Sequence, residues 1–155
     1  MNELKFEVWR EFDENGKVIH LINSNGFEEW YEYDENGNEI HYKNSDGFET
    51  WNKYNDKGLI IFYKNSDGDK NWWEYDDNGN VTYSKTYDEE GVCEEWYEYD
   101  ENNHKTHFIN SEGSEYWCKY DEKGNMIYYK DHNGNETRKE YDDNGNMIHS
   151  IMTSI

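Results

Sequence analysis

The sequence predicts an all-β fold, an antiparallel meander of about seven tandem β-hairpin repeats, each of about 21 residues, within a single domain spanning 1–155. Three observations carry this. Trp9, Trp30, Trp51 and Trp72 recur every 21 residues, Trp96 follows after 24 and Trp117 after 21 again. Three residues after each stands an aromatic (Phe12, Tyr33, Tyr54, Tyr75, Tyr99, Tyr120), followed by a turn cluster such as Asp34-Glu35-Asn36-Gly37-Asn38. Apolar residues alternate at period two, and no segment carries a helical apolar stripe. A last unit keeps Tyr141 but has Arg138 where Trp is due.

Each repeat holds two turns. A two-residue type I′ turn is expected at Asn36-Gly37, and likewise at Asn78-Gly79 and Asn144-Gly145. Side chains alternate faces along a strand, so the second turn must then have an odd loop to keep Phe48 and Tyr54 on the face of Tyr31. Ser45-Asp46-Gly47 suits a three-residue loop with Gly in the left-handed conformation. Two strands of about eight residues per repeat follow. The same register sets Trp30, Trp51, Trp72 and Trp117 opposite Lys43, Lys64, Lys85 and Lys130, while Trp9 and Trp96 face Ile22 and Ile109. Glu11, Glu32, Glu98 and Glu140 fall opposite His20, His41, His107 and His149. Where Lys53 or Lys119 replaces the Glu, the partner is Phe62 or Tyr128. Such cross-strand pairs stabilise a sheet, with cation–π contact expected for the Trp–Lys set.

The opposite face is the predicted core: Tyr31, Tyr33, Ile40, Tyr42, Tyr54, Ile61, Tyr97, Tyr99, Phe108, Tyr120 and Ile127, all more buried than Glu32, His41, Lys43 and Glu98. Polar Arg10, Lys139 and Ser150 stand at core positions in the outer units, as in terminal caps of a repeat array. Fourteen strands about 4.8 Å apart would make a sheet more than about 60 Å wide, so a curled or closed sheet is expected.

Composition narrows function. The chain has no Pro, 18% aromatic residues and a formal net charge of −21. That field repels nucleic-acid phosphates and anionic membranes and favours a basic partner. Cys93 and Cys118 make no disulfide framework, and the opening MNELKFEVWREF has neither a basic leader nor an apolar signal core, so a cytoplasmic location is expected.

The unit Trp30-Tyr31-Glu32-Tyr33-Asp34-Glu35-Asn36-Gly37-Asn38 resembles the YD repeat of Rhs-type proteins, a Tyr-Asp pair followed by a two-residue spacer, a Gly and an apolar strand. Matches recur at Tyr75-Asp76, Tyr99-Asp100, Tyr120-Asp121 and Tyr141-Asp142, with looser forms at Phe12-Asp13 and Tyr54-Asn55. The Arg common after the family's Gly is here Asn38, Asn80, Asn125 or Asn146. Large members of that family look like shells around a toxin, and seven units are too few to enclose a protein. Small acidic repeat proteins of this look are also similar to immunity proteins of polymorphic-toxin and contact-dependent growth inhibition systems.

His20, His41, His107 and His149 share one repeat position, and the first two lie a full unit apart, roughly 9–10 Å, too far to converge on one metal. The turns offer oxygens but lack the spacing of a calcium loop. There is no nucleophile motif and no phosphate-binding loop, so no enzymatic activity, metal or other cofactor is expected. The most irregular stretch is the candidate partner site: Asp88, Glu89, Glu90, Glu94, Glu95, Glu98, Asp100 and Glu101, with Trp96 and Tyr97 as aromatic anchors. The function expected is an immunity protein, a monomer that binds one basic toxin domain, a nuclease, in a 1:1 complex. The rival is a carbohydrate or cell-wall binding module that uses exposed Trp as sugar platforms.

Overall fold

In the computed structural model, which describes residues 7–154, the chain is an all-β antiparallel meander of fourteen strands with no helix among the described residues. The strands are β1 Val8–Phe12, β2 Val18–Asn23, β3 Glu28–Tyr33, β4 Glu39–Asn44, β5 Glu49–Tyr54, β6 Ile60–Asn65, β7 Lys70–Tyr75, β8 Val81–Asp88, β9 Gly91–Tyr99, β10 Lys105–Asn110, β11 Glu115–Tyr120, β12 Met126–Asp131, β13 Glu136–Tyr141 and β14 Met147–Thr153. They are hydrogen bonded in sequence order, and among the described residues β1 and β14 each have a single neighbour, so the sheet does not close. Most strands have six residues rather than eight, because the turns take more of each repeat than expected. Two compact units are present: residues up to Trp72 with Tyr87–Gly91, and Trp73–Thr86 with Val92 onward.

In the first unit, the expected cross-strand pairs form: Trp30 with Lys43, Tyr31 with Tyr42, Glu32 with His41, Trp51 with Lys64 and Lys53 with Phe62. In the second, Glu98 pairs with His107, Trp117 with Lys130, Lys119 with Tyr128 and Glu140 with His149.

The first turn reaches that register by a different device. The Gly37 amide bonds the Asp34 carbonyl at 3.0 Å, the Asp34 amide bonds the Asn38 carbonyl at 2.9 Å, and only Gly37, at φ 83°, is left-handed. A type I′ turn needs positive φ at both central residues, and Asn36 does not have it. The turn is instead a three-residue loop closed by Gly, the same geometry as Asn44-Ser45-Asp46-Gly47-Phe48, where the bonds are 3.0 and 3.1 Å. A bulge then restores parity: Tyr33 pairs with Glu39 while Glu32 pairs with His41, so Ile40 is the extra residue. Ile61 and Ile127 are skipped in the same way in their repeats. An odd loop and one bulged residue together equal the even loop expected.

Asp34 is the reason for this choice. Its Oδ1 accepts from the amides of Asn36 and Asn38 at 3.0 and 2.8 Å, an Asx turn that selects αR geometry at Glu35 and Asn36. The Asn38 side chain donates to the other carboxylate oxygen at 2.9 Å, and Asn80, Asn125 and Asn146 repeat the clasp on Asp76, Asp121 and Asp142. Each of these carboxyls lies below the usual range, chiefly because the Asn side chain donates to the ionised form.

Repeats are joined by a recurring latch. Beyond the last ladder pair between β2 and β3, His20 with Trp30, the Tyr33 hydroxyl donates to the Val18 carbonyl at 3.0 Å. Tyr54 does the same to Glu39, and in the second unit Tyr99, Tyr120 and Tyr141 reach Val81, Lys105 and Met126.

Burial is shallower than expected. Among the described residues only Cys118, Thr50 and Ser84 are buried, and no large side chain is fully enclosed. The predicted core residues are half-buried, and Glu32, Lys43 and Glu98 are exposed as expected. His41, expected on the open face, is half-buried as well, because Trp51 stacks on it at 5.2 Å. Rings cover one another along the sheet: Tyr31 lies 5.3 Å from Tyr42, and Tyr97, Phe108, Tyr116 and Tyr129 form a continuous row in the second unit.

Candidate functional site

Strand alternation divides the candidate acidic stretch. Asp88, Glu89 and Glu90 belong to the first compact unit, and Glu94 to Glu101 to the second. Asp88 holds its own turn, its Oδ1 accepting from the amides of Glu90 and Gly91 at 2.8 and 3.2 Å, while Glu89 and Glu90 are exposed.

Within β9 the neighbours point to opposite faces. Glu94 shares a face with Trp96 and Glu98, and its carboxylate accepts from the Lys85 ammonium at 2.8 Å and the Tyr83 hydroxyl at 2.9 Å. Those donors hold the Glu94 carboxyl below the usual range, Lys85 foremost. Glu95 lies on the other face, accepting from the Ser84 hydroxyl at 2.9 Å and the Tyr97 hydroxyl at 2.6 Å. Burial, and then the bond to Glu95, push the Tyr97 phenol up to about 12. Asp100 accepts the amides of Asn102 and His104 at its turn. Glu94, Glu95, Tyr97 and Asp100 are therefore occupied in holding the hairpin.

Of the candidate residues on β9 and its adjoining turn, Trp96, Glu98 and Glu101 are exposed. Trp96 is 42% exposed, its ring tilted against Tyr83 at 5.6 Å, and the Glu98 side chain is 73% exposed. Glu98 reaches His107 Nδ1 at 3.6 Å, and His107 Nε2 contacts Glu115 at 2.8 Å while its ring stacks on Trp117 at 5.2 Å.

That sandwich is a recurring feature of the repeat, and half of it escapes a reading within single repeats. His20 lies between Glu11 and Glu28, and His41 between Glu32 and Glu49, each stacked on the following Trp. The missed partners, Glu28, Glu49 and Glu115, all stand two residues before a Trp, a regularity visible in the repeat itself. Their contacts bridge one repeat to the next. Among the described residues no three His, Cys, Asp or Glu side chains come together as a metal-holding group.

The stacked histidines also occupy one ring face of Trp30, Trp51 and Trp117. Lys64 stands 4.1 Å over Trp51 in the expected cation–π contact, whereas Lys43, Lys85 and Lys130 reach Glu49, Glu94 and Glu136 instead. In the acidic environment of this chain a carboxylate competes well for the ammonium.

No family model and no curated protein matches the sequence. Among solved structures, the fold is similar to a stretch of the Photorhabdus luminescens Tc holotoxin pore, with a TM-score of 0.71 at 15% identity over 95% of this chain and 9% of that one. A TcdB2-TccC3 crystal structure gives a TM-score of 0.72 at 14% identity, covering 99% of this chain and 10% of that chain. The same assembly without its hypervariable C-terminal region also gives 0.72 at 14% identity. This chain thus spans about a tenth of the length of those neighbours. At this identity the likeness is one of fold, and that fold, an antiparallel hairpin meander found in toxin-complex chains, is consistent with repeats of the Rhs/YD kind.

Proposed function

We propose that this chain is a binding protein of a bacterial toxin system, an immunity protein that holds a basic toxin domain, a nuclease, against its acidic surface. One observation carries the reading: Trp96 is 42% exposed beside the exposed carboxylate of Glu98, on a strand whose other polar groups are already paired. A large aromatic supplies affinity when a partner desolvates it, and surrounding carboxylates steer a cationic partner and speed its association. A nuclease must carry Lys and Arg to hold phosphates, so an acidic cover is complementary to its site. On this reading occlusion is the mechanism: the partner's cationic site faces Glu98 and Glu101 and is closed to substrate. On this reading the protein works in the cytoplasm, where an incoming toxin meets its substrate.

The test is co-expression with the basic C-terminal domain of an exported toxin encoded beside this gene. Cells carrying the intact protein survive, and Trp96→Ala with Glu98→Lys and Glu101→Lys lose protection while keeping the β-sheet circular dichroism spectrum. Equal survival with the altered protein places the contact elsewhere. Absence of protection together with glycan binding supports the carbohydrate reading instead.

A further inference from the structure

Two junctions between repeats in the first unit, β2 to β3 and β4 to β5, use one set of contacts, and β6 to β7 keeps the Trp but places it against Phe62. The strand that follows a histidine strand brings Glu and Trp at alternate positions, followed by Glu32 on β3 and Lys53 on β5. Glu28 meets His20 Nε2 at 2.9 Å, Trp30 stacks on the His20 ring, and the Ser45 amide bonds the Glu28 carbonyl at 2.9 Å. Residues of the junction pair as His20 with Trp30, Leu21 with Glu29 and Ile22 with Glu28.

The last strand, β14, presents the receiving half of this set with nothing to receive among the described residues. His149 occupies the histidine position and has Glu140 on its Nδ1 side at 3.8 Å. Its side chain is 55% exposed, against 22% for His20 and His41. Met147, Ile148, Ile151 and Met152 are all at least half exposed, Met152 at 80%. Native edge strands are commonly guarded by charge, Pro or a bulge that turns the edge away. β14 contains no Lys, Arg, Asp or Glu, and its bulge at Ile148 is the one that β4, β6 and β12 also carry while pairing on.

The donating half stands on the first strand. Glu7, Trp9 and Glu11 have the spacing of Glu28, Trp30 and Glu32, and the Ser24 amide bonds the Glu7 carbonyl at 2.8 Å as Ser45 bonds Glu28. Trp9 is 54% exposed and stacks on no histidine.

We propose that β14 of one copy accepts β1 of a second copy, with His149 opposite Trp9 and Ile151 opposite Glu7, repeating the junction used inside the chain. This departs from the monomer expected from the sequence. The two edges differ, so the contact is head-to-tail and each addition leaves a fresh pair of edges, giving open chains rather than closed dimers. Phe12 stands where the other repeats carry the latch tyrosine and has no hydroxyl to offer the Met147 carbonyl, so this junction is weaker than an internal one and reversible. Both partners are strongly acidic, so added salt screens their repulsion and favours the contact.

Sedimentation velocity of the full chain across protein and salt concentration tests this. The wild type forms a concentration-dependent series extending past the dimer, growing with salt. Trp9→Arg, a residue the fold already accepts at this position in Arg138, and His149→Glu each weaken association by about tenfold or more. Mixed together, these two variants form a dimer and stop there, since one keeps β14 and the other keeps β1. Ile151→Lys strengthens association by about two- to fivefold, because a lysine there meets Glu7 of the second copy as Lys43 meets Glu49. A single monomeric species under all conditions overturns the proposal. So does a series that ends at the dimer and ignores Trp9→Arg, which marks β14 pairing with β14, and so does weakening by Ile151→Lys.

Discussion

The hydroxyl of Tyr33 donates to the carbonyl of Val18 at 3.0 Å, tying the third strand to a point one repeat earlier that the backbone ladder does not reach. The YD tyrosine thus holds one hairpin to the previous one as well as covering its own. Tyr33→Phe keeps the ring and removes only this bond. It should lower stability by about 0.5–1.5 kcal/mol, measured by urea unfolding. An unchanged midpoint would mean that water serves the carbonyl equally well.

The turn geometry makes a sharper prediction. Gly37, at φ 83°, has the Lys17 side chain within 2.7 Å of where a Cβ would stand, so Gly37→Ala should cost about 1–2 kcal/mol. Asn36 has ordinary φ, so Asn36→Ala should change stability by less than about 0.5 kcal/mol. Comparable losses at both positions would restore the type I′ turn.

Strand alternation predicts that Tyr99→Ala costs about 2–3 kcal/mol, at the lower end for a large aromatic because the site is half-buried and carries the latch to Val81. Exposed Glu98→Ala should cost under about 1 kcal/mol. Equal effects in thermal or urea unfolding would shift the register by one residue.

Two phenols are raised furthest among the tyrosines. Burial is the main cause of a pKa of about 12 at both Tyr31 and Tyr97, aided by the nearby Glu29 charge and the Glu95 bond respectively. A raised folded-state pKa favours the neutral phenol in the fold. The stability it brings is whole below the unfolded value near 10 and is lost as pH climbs through about 12. Tyrosinate absorbance should therefore show these two groups ionising late, and Tyr97→Phe should flatten the alkaline loss of stability. Ionisation of all tyrosines near 10 in the folded protein would contradict this.

Much of the architecture was legible because repetition within one chain acts as its own control. Trp-to-Trp spacing and parity fixed which residues face each other, down to Glu98 with His107. The turn device was not legible, since an even loop and an odd loop with one bulged isoleucine satisfy parity equally. Asp34 decides between them through hydrogen bonds that only a folded turn displays. The division of the acidic stretch was not legible for a different reason: adjacent Glu94 and Glu95 look like one patch in a string of letters, but a strand sends them to opposite faces, each to a partner on β8. A curled or closed sheet was expected from its width, and of the two the sheet is not closed: among the described residues β1 and β14 do not pair with each other.

The central functional claim is that a basic toxin domain docks on the Trp96 and Glu98 face of β9. Hydrogen–deuterium exchange of the protein with and without that domain tests it most directly. The account predicts new protection concentrated in β9 and the Asp100–His104 turn, lost with Trp96→Ala and Glu98→Lys. Protection confined to other strands, or none in the presence of a domain that the protein demonstrably neutralises, would contradict it.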